Sequence, residues 1–167
     1  MNFVPIFAPH LYAAVIEGET DEYNKFIEFL SDTEQLVEYF NENQDVLKYY
    51  NISVEDAIDK TVDLAIGLSD YIEQNKNNLD LIFEPLKKFR GEHVLHKMKF
   101  KSDWLRVYAI KVESHYYIIT GGAIKQSQKM PDHVGTEKQL SNLTKVRDYL
   151  VEQGIIDKDG FLELIIE

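Results

Sequence analysis

Along residues 20–86 the apolar positions recur every three or four residues, and beyond residue 92 they alternate, so the chain divides by period into a helical half and a sheet half. One strand precedes the helices: Leu11-Tyr-Ala-Ala-Val-Ile is short, apolar and partly β-branched, and Gly18 closes it. Thr20 then caps a first helix, with Asp21 and Glu22 in its first turn and Tyr23, Phe26, Ile27 and Leu30 along one face. Ser31 or Asp32 starts a second, Glu34 or Gln35 completes its capping box, and Leu36, Val37, Phe40 and Leu47 form a stripe that frays near residues 49–51. The third is the clearest. Ser53 with Asp56 caps it, and Val54, Ile58, Thr61, Ala65, Leu68 and Ile72 repeat in steps of four and three. A polar break at 74–78 leads to a short helix over 79–83 that Pro85 stops.

The alternating half predicts strands over 93–101, 104–112 and 115–124, the last two joined by a tight turn across Glu113 and Ser114. Thr136 with Gln139 caps a final helix whose face is Leu140, Leu143, Val146 and Leu150, with Gly154 as its C-terminal cap. Residues 161–166 read as a short closing strand. The expected organisation is a single α+β domain over 1–167: strand plus helices in 1–86, a three-stranded sheet in 87–124, then loop, helix and short strand in 125–167.

Charge singles out the middle of this plan. The formal net charge is −11, yet residues 87–129 carry ten of the eighteen Lys and Arg residues and stand at +7, against −14 before them and −4 after. A basic island coinciding with a sheet, inside an acidic shell, points to one surface built to meet an anion. Without cysteine the chain forms no disulfide, Cys-ligated metal site or thiol nucleophile. The apolar start contains Pro5, Pro9 and His10, lacks a basic leader region and runs into an acidic stretch, so it does not read as a signal peptide. No segment reaches the ~18 apolar residues of a membrane span. The expectation is a cytoplasmic protein.

Alternation places Lys97, Lys99 and Lys101 on one face of their strand, with His96, Met98 and Phe100 on the other. Such a row, spaced about 6.6 to 6.8 Å, can track the phosphates of single-stranded nucleic acid; an edge strand kept soluble by lysines gives the same pattern. Arg106 lies in the most apolar strand, where a guanidinium is paired with a carboxylate or reserved for an anion. Trp104, Arg106 and Tyr108 are expected on one face. Lys125 and Lys129 sit on the exit from the sheet, where a loop can close over a ligand. His96, His115 and His133 flank the basic sheet as candidate acid or base groups. His93 and His96 fall on opposite faces, wrong for one metal, so neither a metal nor another cofactor is expected. Asp157-Lys-Asp159-Gly160 lacks the later ligands of a calcium loop and reads as a turn. Gly121-Gly122 lacks dinucleotide-binding spacing.

Trp104-Leu-Arg-Val-Tyr-Ala-Ile-Lys, then Tyr116-Tyr-Ile-Ile-Thr-Gly-Gly-Ala-Ile-Lys-Gln-Ser-Gln-Lys-Met-Pro131 and a helix containing Val146-Arg-Asp-Tyr149, resemble the RelE/HigB superfamily of bacterial and phage toxin-like proteins over residues 86–154. The resemblance implies a RelE-like antiparallel sheet, here with an enlarged N-terminal helical half. It implies metal-independent cleavage of messenger RNA on the ribosome, with Arg106, Lys125 and Lys129 as the matching catalytic positions and Lys97, Lys99 and Lys101 as RNA contacts. A small antitoxin protein is the implied partner. The alternative is a non-catalytic interaction protein that keeps the fold and binds a protein. The chain is longer and more acidic than active toxins of this type, and 161–167 offers no Arg, His or Tyr.

Overall fold

The computed structural model describes residues 1–7, 9–86, 95–100, 104–125 and 134–166, of which 134–136 by backbone alone. Among the described residues six strands form one sheet: β1 (Asn2–Phe7), β2 (Leu11–Val15), β3 (Phe83–Pro85), β4 (Leu95–Met98), β5 (Leu105–Glu113) and β6 (Tyr116–Ile124), in the spatial order β1-β2-β6-β5-β4-β3. The α+β class therefore holds. The sheet is mixed rather than purely antiparallel, because β2 runs parallel to β6 while the other neighbours are antiparallel. Two strands escape the helical and apolar patterns. β1 carries Pro5 and is tolerated as an edge, and β3 is only three residues long and ends at Pro85.

Strand alternation sends two sets of side chains to opposite faces, and each face has its own helical cover. Leu11, Ala13, Leu105, Val107, Ala109, Tyr117 and Ile119 pack beneath α1 (Glu22–Ser31), α2 (Thr33–Glu42), α3 (Gln44–Tyr50) and α4 (Val54–Gln74). Tyr12, Ala14, Leu95, Tyr108, Ile110 and Ile118 pack beneath α5 (Val134–Glu152) and α6 (Lys158–Ile166). Among the described residues no helix is long and apolar enough to cross a membrane.

The caps explain where helices begin. Asp21, one residue past Thr20, caps α1 by accepting from the Asn24 amide at 2.9 Å, and Asp32 caps α2 by accepting from the Gln35 amide at 3.2 Å. Ser53 caps α4 through the Asp56 amide at 3.1 Å. The second predicted helix breaks into α2 and α3 at Asn43, whose Nδ2 donates to the Tyr39 carbonyl at 2.7 Å and satisfies the helix end locally. The expected helix over 79–83 is one 3₁₀ turn, Leu79–Leu81, before β3 begins.

The closing strand over 161–166 is instead helix α6. Asp157 Oδ1 accepts from the Gly160 amide at 2.8 Å, so the predicted turn is an N-cap, and Phe161, Leu164 and Ile165 then recur at helical spacing in the core on this face of the sheet, with the Phe161 ring against Phe3 and Tyr12. Trp104 also departs from expectation. It joins the core under α1–α4, away from the face of Arg106 and Tyr108, and its indole N–H donates to Thr61 Oγ1 at 2.8 Å.

Gly121 and Gly122 are packing glycines. A Cβ on Gly121 would meet Gln139 of α5, and a Cβ on Gly122 would run into the Phe26 ring of α1. The pair lets one helix on each side approach the same stretch of β6.

Candidate anion-binding site

Antiparallel pairing brings three strand ends together at one end of the sheet. β4 finishes where β5 begins and β6 finishes, so Lys97 and Lys99, Arg106, and Lys125 arrive from three neighbouring strands spaced by about 4.8 Å. Lys97 sits opposite Tyr108 in the ladder, and the same register continued would put Lys99 opposite Arg106. The Lys125 amide donates to the Trp104 carbonyl at 2.7 Å, extending the β5–β6 ladder by one rung. The Lys99 amide donates to the Ile82 carbonyl at 2.6 Å, which holds that position beyond the end of β4.

These four cationic side chains line a single cleft of about 140 Å³, together with Glu84, Met98, Phe100 and Leu105. Glu84 and Lys97 also line a neighbouring hollow of about 590 Å³ with Pro85 and Leu86, so the cleft continues along β3. Lys101 and Lys129 lie outside the described residues. β4 is not an edge strand, since β3 covers its outer side; the lysine row there is not explained by edge protection alone.

Arg106 is half-buried on the α5 side of β5, close to the Tyr108 hydroxyl. Burial pushes the Tyr108 hydroxyl above its ordinary pKa, and the adjacent guanidinium pulls it part of the way back. Lys97 Nζ lies 3.3 Å from Glu84 Oε1 across the β3–β4 pair. Among the described residues no carboxylate ion-pairs with Arg106 or Lys99. Tyr71 of α4 supports the cleft from below: its hydroxyl donates to the Lys99 carbonyl at 2.9 Å and its ring packs 5.5 Å from Phe100. Such a cluster of fixed cations, backed by core aromatics, can hold a phosphate and stabilise charge that develops on it.

The histidines stand apart. His96 is buried on the opposite face of β4, edge-on to the Tyr117 ring at 5.4 Å, and His115 occupies the β5–β6 turn with φ +67°; His133 lies outside the described residues. The turn is Ser114-His115, one residue later than the sequence suggests. It is held by Asp80, whose carboxylate accepts from Ser114 Oγ at 2.5 Å, from the His115 amide at 3.0 Å and from the Tyr117 hydroxyl at 2.8 Å, with Lys111 Nζ at 3.7 Å. Burial would raise the Asp80 pKa, but these donors and the lysine outweigh it and draw it down to about 2. Among the described residues no cluster of metal-ligating side chains is present.

Glu84, Met98, Phe100 and Leu105 are the lining residues that pattern alone does not assign to a site. A glutamate in a three-residue strand carries no periodic signal, and its place beside Lys97 follows only from the β3–β4 register. No known protein family, curated protein or solved structure matches this chain.

Proposed function

We propose that the chain is a toxin-like RNA-binding protein of the RelE/HigB type, which engages single-stranded RNA at the cleft formed by Lys97, Lys99, Arg106 and Lys125 and cleaves it there. The observation that carries this reading is the convergence of those four cations on one cleft, from three strands, in a chain of net charge −11. Arg106 holds the scissile phosphate, because it lines the cleft and has no carboxylate partner among the described residues. Lys97 and Lys99 hold the flanking backbone. Lys125 stabilises the charge that builds on the phosphate, and Lys129 is the matching residue beyond the described segment. Glu84 is the one carboxylate among the described lining residues and the group available to accept the 2′-hydroxyl proton as the 2′-oxygen bonds to phosphorus; the phosphorus–5′-oxygen bond breaks, leaving a 2′,3′-cyclic phosphate, and the 5′-oxygen takes a proton from solvent.

Purified protein added to ribosomes programmed with a defined message tests this directly, with cuts mapped by primer extension. The expected result is cleavage by the native chain and at least a hundredfold slower cleavage by Arg106→Ala, on the scale of losing one electrostatic contact to the transition state. An intact message, together with a growth defect on induction that Arg106→Ala leaves unchanged, would sink the proposal.

The Lys97–Glu84 ion pair partly neutralises the cleft and favours a second reading, a non-catalytic protein whose basic surface meets a protein partner such as a small antitoxin. That complex would survive high salt, whereas RNA held by the lysines would dissociate steeply.

A further inference from the structure

A second cavity opens beside the cationic cleft, on the other side of β6. It has a volume of about 430 Å³ and its walls include Phe26 and Phe29 of α1 and Tyr39 of α2, with Gly122 and Ile124 of β6 along its floor and Gln139 of α5 at its margin. Phe29 and Tyr39 meet edge to face at 5.6 Å. Ile124 lines this cavity and the next residue, Lys125, lines the cleft, a step of about 3.3 Å along the strand.

The backbone at its floor is open. Pairing of β2 with β6 stops at Ala13 with Ile119, so the described residues place no strand beside Gly122–Ile124 on that side. The bond from the Lys125 amide to the Trp104 carbonyl fixes the phase of the β5–β6 ladder: Trp104–Lys125 and Arg106–Ala123 are bonded pairs, while Leu105–Ile124 and Val107–Gly122 are not. The N–H and C=O groups of Gly122 and Ile124 therefore point away from β5, toward the cavity. Gln139 adds an amide whose Oε1 is buried without a hydrogen-bond partner. Flat aromatic walls, a short row of alternating main-chain donors and acceptors, and an unpaired side-chain amide match the edge and faces of a nucleobase.

We infer that this cavity is a base-recognition pocket serving the cationic cleft, receiving one unstacked base of the RNA whose phosphates lie along Lys97, Arg106 and Lys125. The inference rests on the RNA reading above and adds sequence preference to it. The cleft supplies affinity that ignores sequence; the cavity supplies the choice of base.

Calorimetric titration of the full chain with five-nucleotide RNA homopolymers of each base, and with an abasic ribose-phosphate strand of equal length, tests it. At least one homopolymer binds about tenfold more tightly than the abasic strand, the scale of one stacked base. Phe29→Ala and Gln139→Leu, on different helices, erase that margin and leave abasic affinity within about twofold, provided circular dichroism shows both variants folded. Arg106→Ala weakens every strand and preserves the margin. Equal binding of abasic and base-bearing strands, or a margin that survives both pocket variants, would overturn the pocket while leaving the RNA reading intact. Binding of no strand removes the RNA reading and the pocket with it. Selective perturbation of the Gly122 and Ile124 amide resonances by an alternating Val-Thr pentapeptide, with no such effect from RNA, would reassign the open edge to strand addition and overturn the pocket.

Discussion

Replacing Asp80 by Asn tests how the β5–β6 hairpin is tied to the segment that enters β3. Asparagine is nearly isosteric with the protonated carboxyl group, so the variant resembles the acid form of the native protein at every pH. The native carboxylate is drawn from an ordinary 3.8 to about 2, and at about 1.4 kcal/mol for each pKa unit this amounts to about 2 kcal/mol of folding stability. The side chain is 28% exposed, so screening trims the figure without removing it. Because the folded pKa is the lower one, the contribution is fully present above the unfolded value and drains away as pH falls through the folded value. Urea denaturation at fixed ionic strength should show the native chain more stable than Asp80→Asn by about 2 kcal/mol at pH 7 and by about 1 kcal/mol at pH 3. A difference below about 0.5 kcal/mol at pH 7, or one that does not shrink with acid, would refute the assignment of the low pKa to this hydrogen-bonded tie.

Thr61→Val removes the acceptor of a fully buried indole N–H, since Trp104 is 0% exposed; the expected loss is about 1–3 kcal/mol in chemical denaturation. Trp104 is the single tryptophan, so its emission also reports the change directly. Gly122→Ala forces a methyl group into the Phe26 ring and should cost about 1–3 kcal/mol, read as a lowered midpoint in thermal denaturation. Glu84→Gln removes the negative charge from the cleft: in anisotropy titrations RNA should bind several-fold more tightly, while cleavage of ribosome-bound message falls at least a hundredfold.

Much of this fold is written in local pattern. The caps at Asp32 and Ser53, the stripe of α4, the β5–β6 hairpin and the face of α5 each announce themselves within a few residues. What pattern leaves ambiguous are short apolar runs. Phe161-Leu-Glu-Leu-Ile-Ile suits a strand as well as a helix until the Asp157 cap and packing of Phe161 against Phe3 and Tyr12 of the sheet decide it. β1 and β3 are stabilised as strands by the neighbours they pair with, and neither alternates cleanly.

The cationic row was legible because alternation assigns faces and charge assigns polarity. Its closure into a cleft depends on register between strands distant in sequence, which no local signal encodes. Glu84 and the cavity beside Gly122 depend on register in the same way, whereas Trp104 leaves the face of Arg106 because it precedes β5 and its indole is held by Thr61 of α4.

The central claim is that Lys97, Lys99, Arg106 and Lys125 form one site for an RNA backbone. Affinity for a single-stranded RNA, measured from low to physiological salt for the native chain and for Arg106→Ala, tests it most directly. The account predicts that log affinity falls linearly with log salt, by roughly 0.7 for each phosphate engaged, and that Arg106→Ala weakens binding and flattens the slope by about one phosphate's share. Salt-independent affinity, or a slope that Arg106→Ala leaves unchanged, would contradict it.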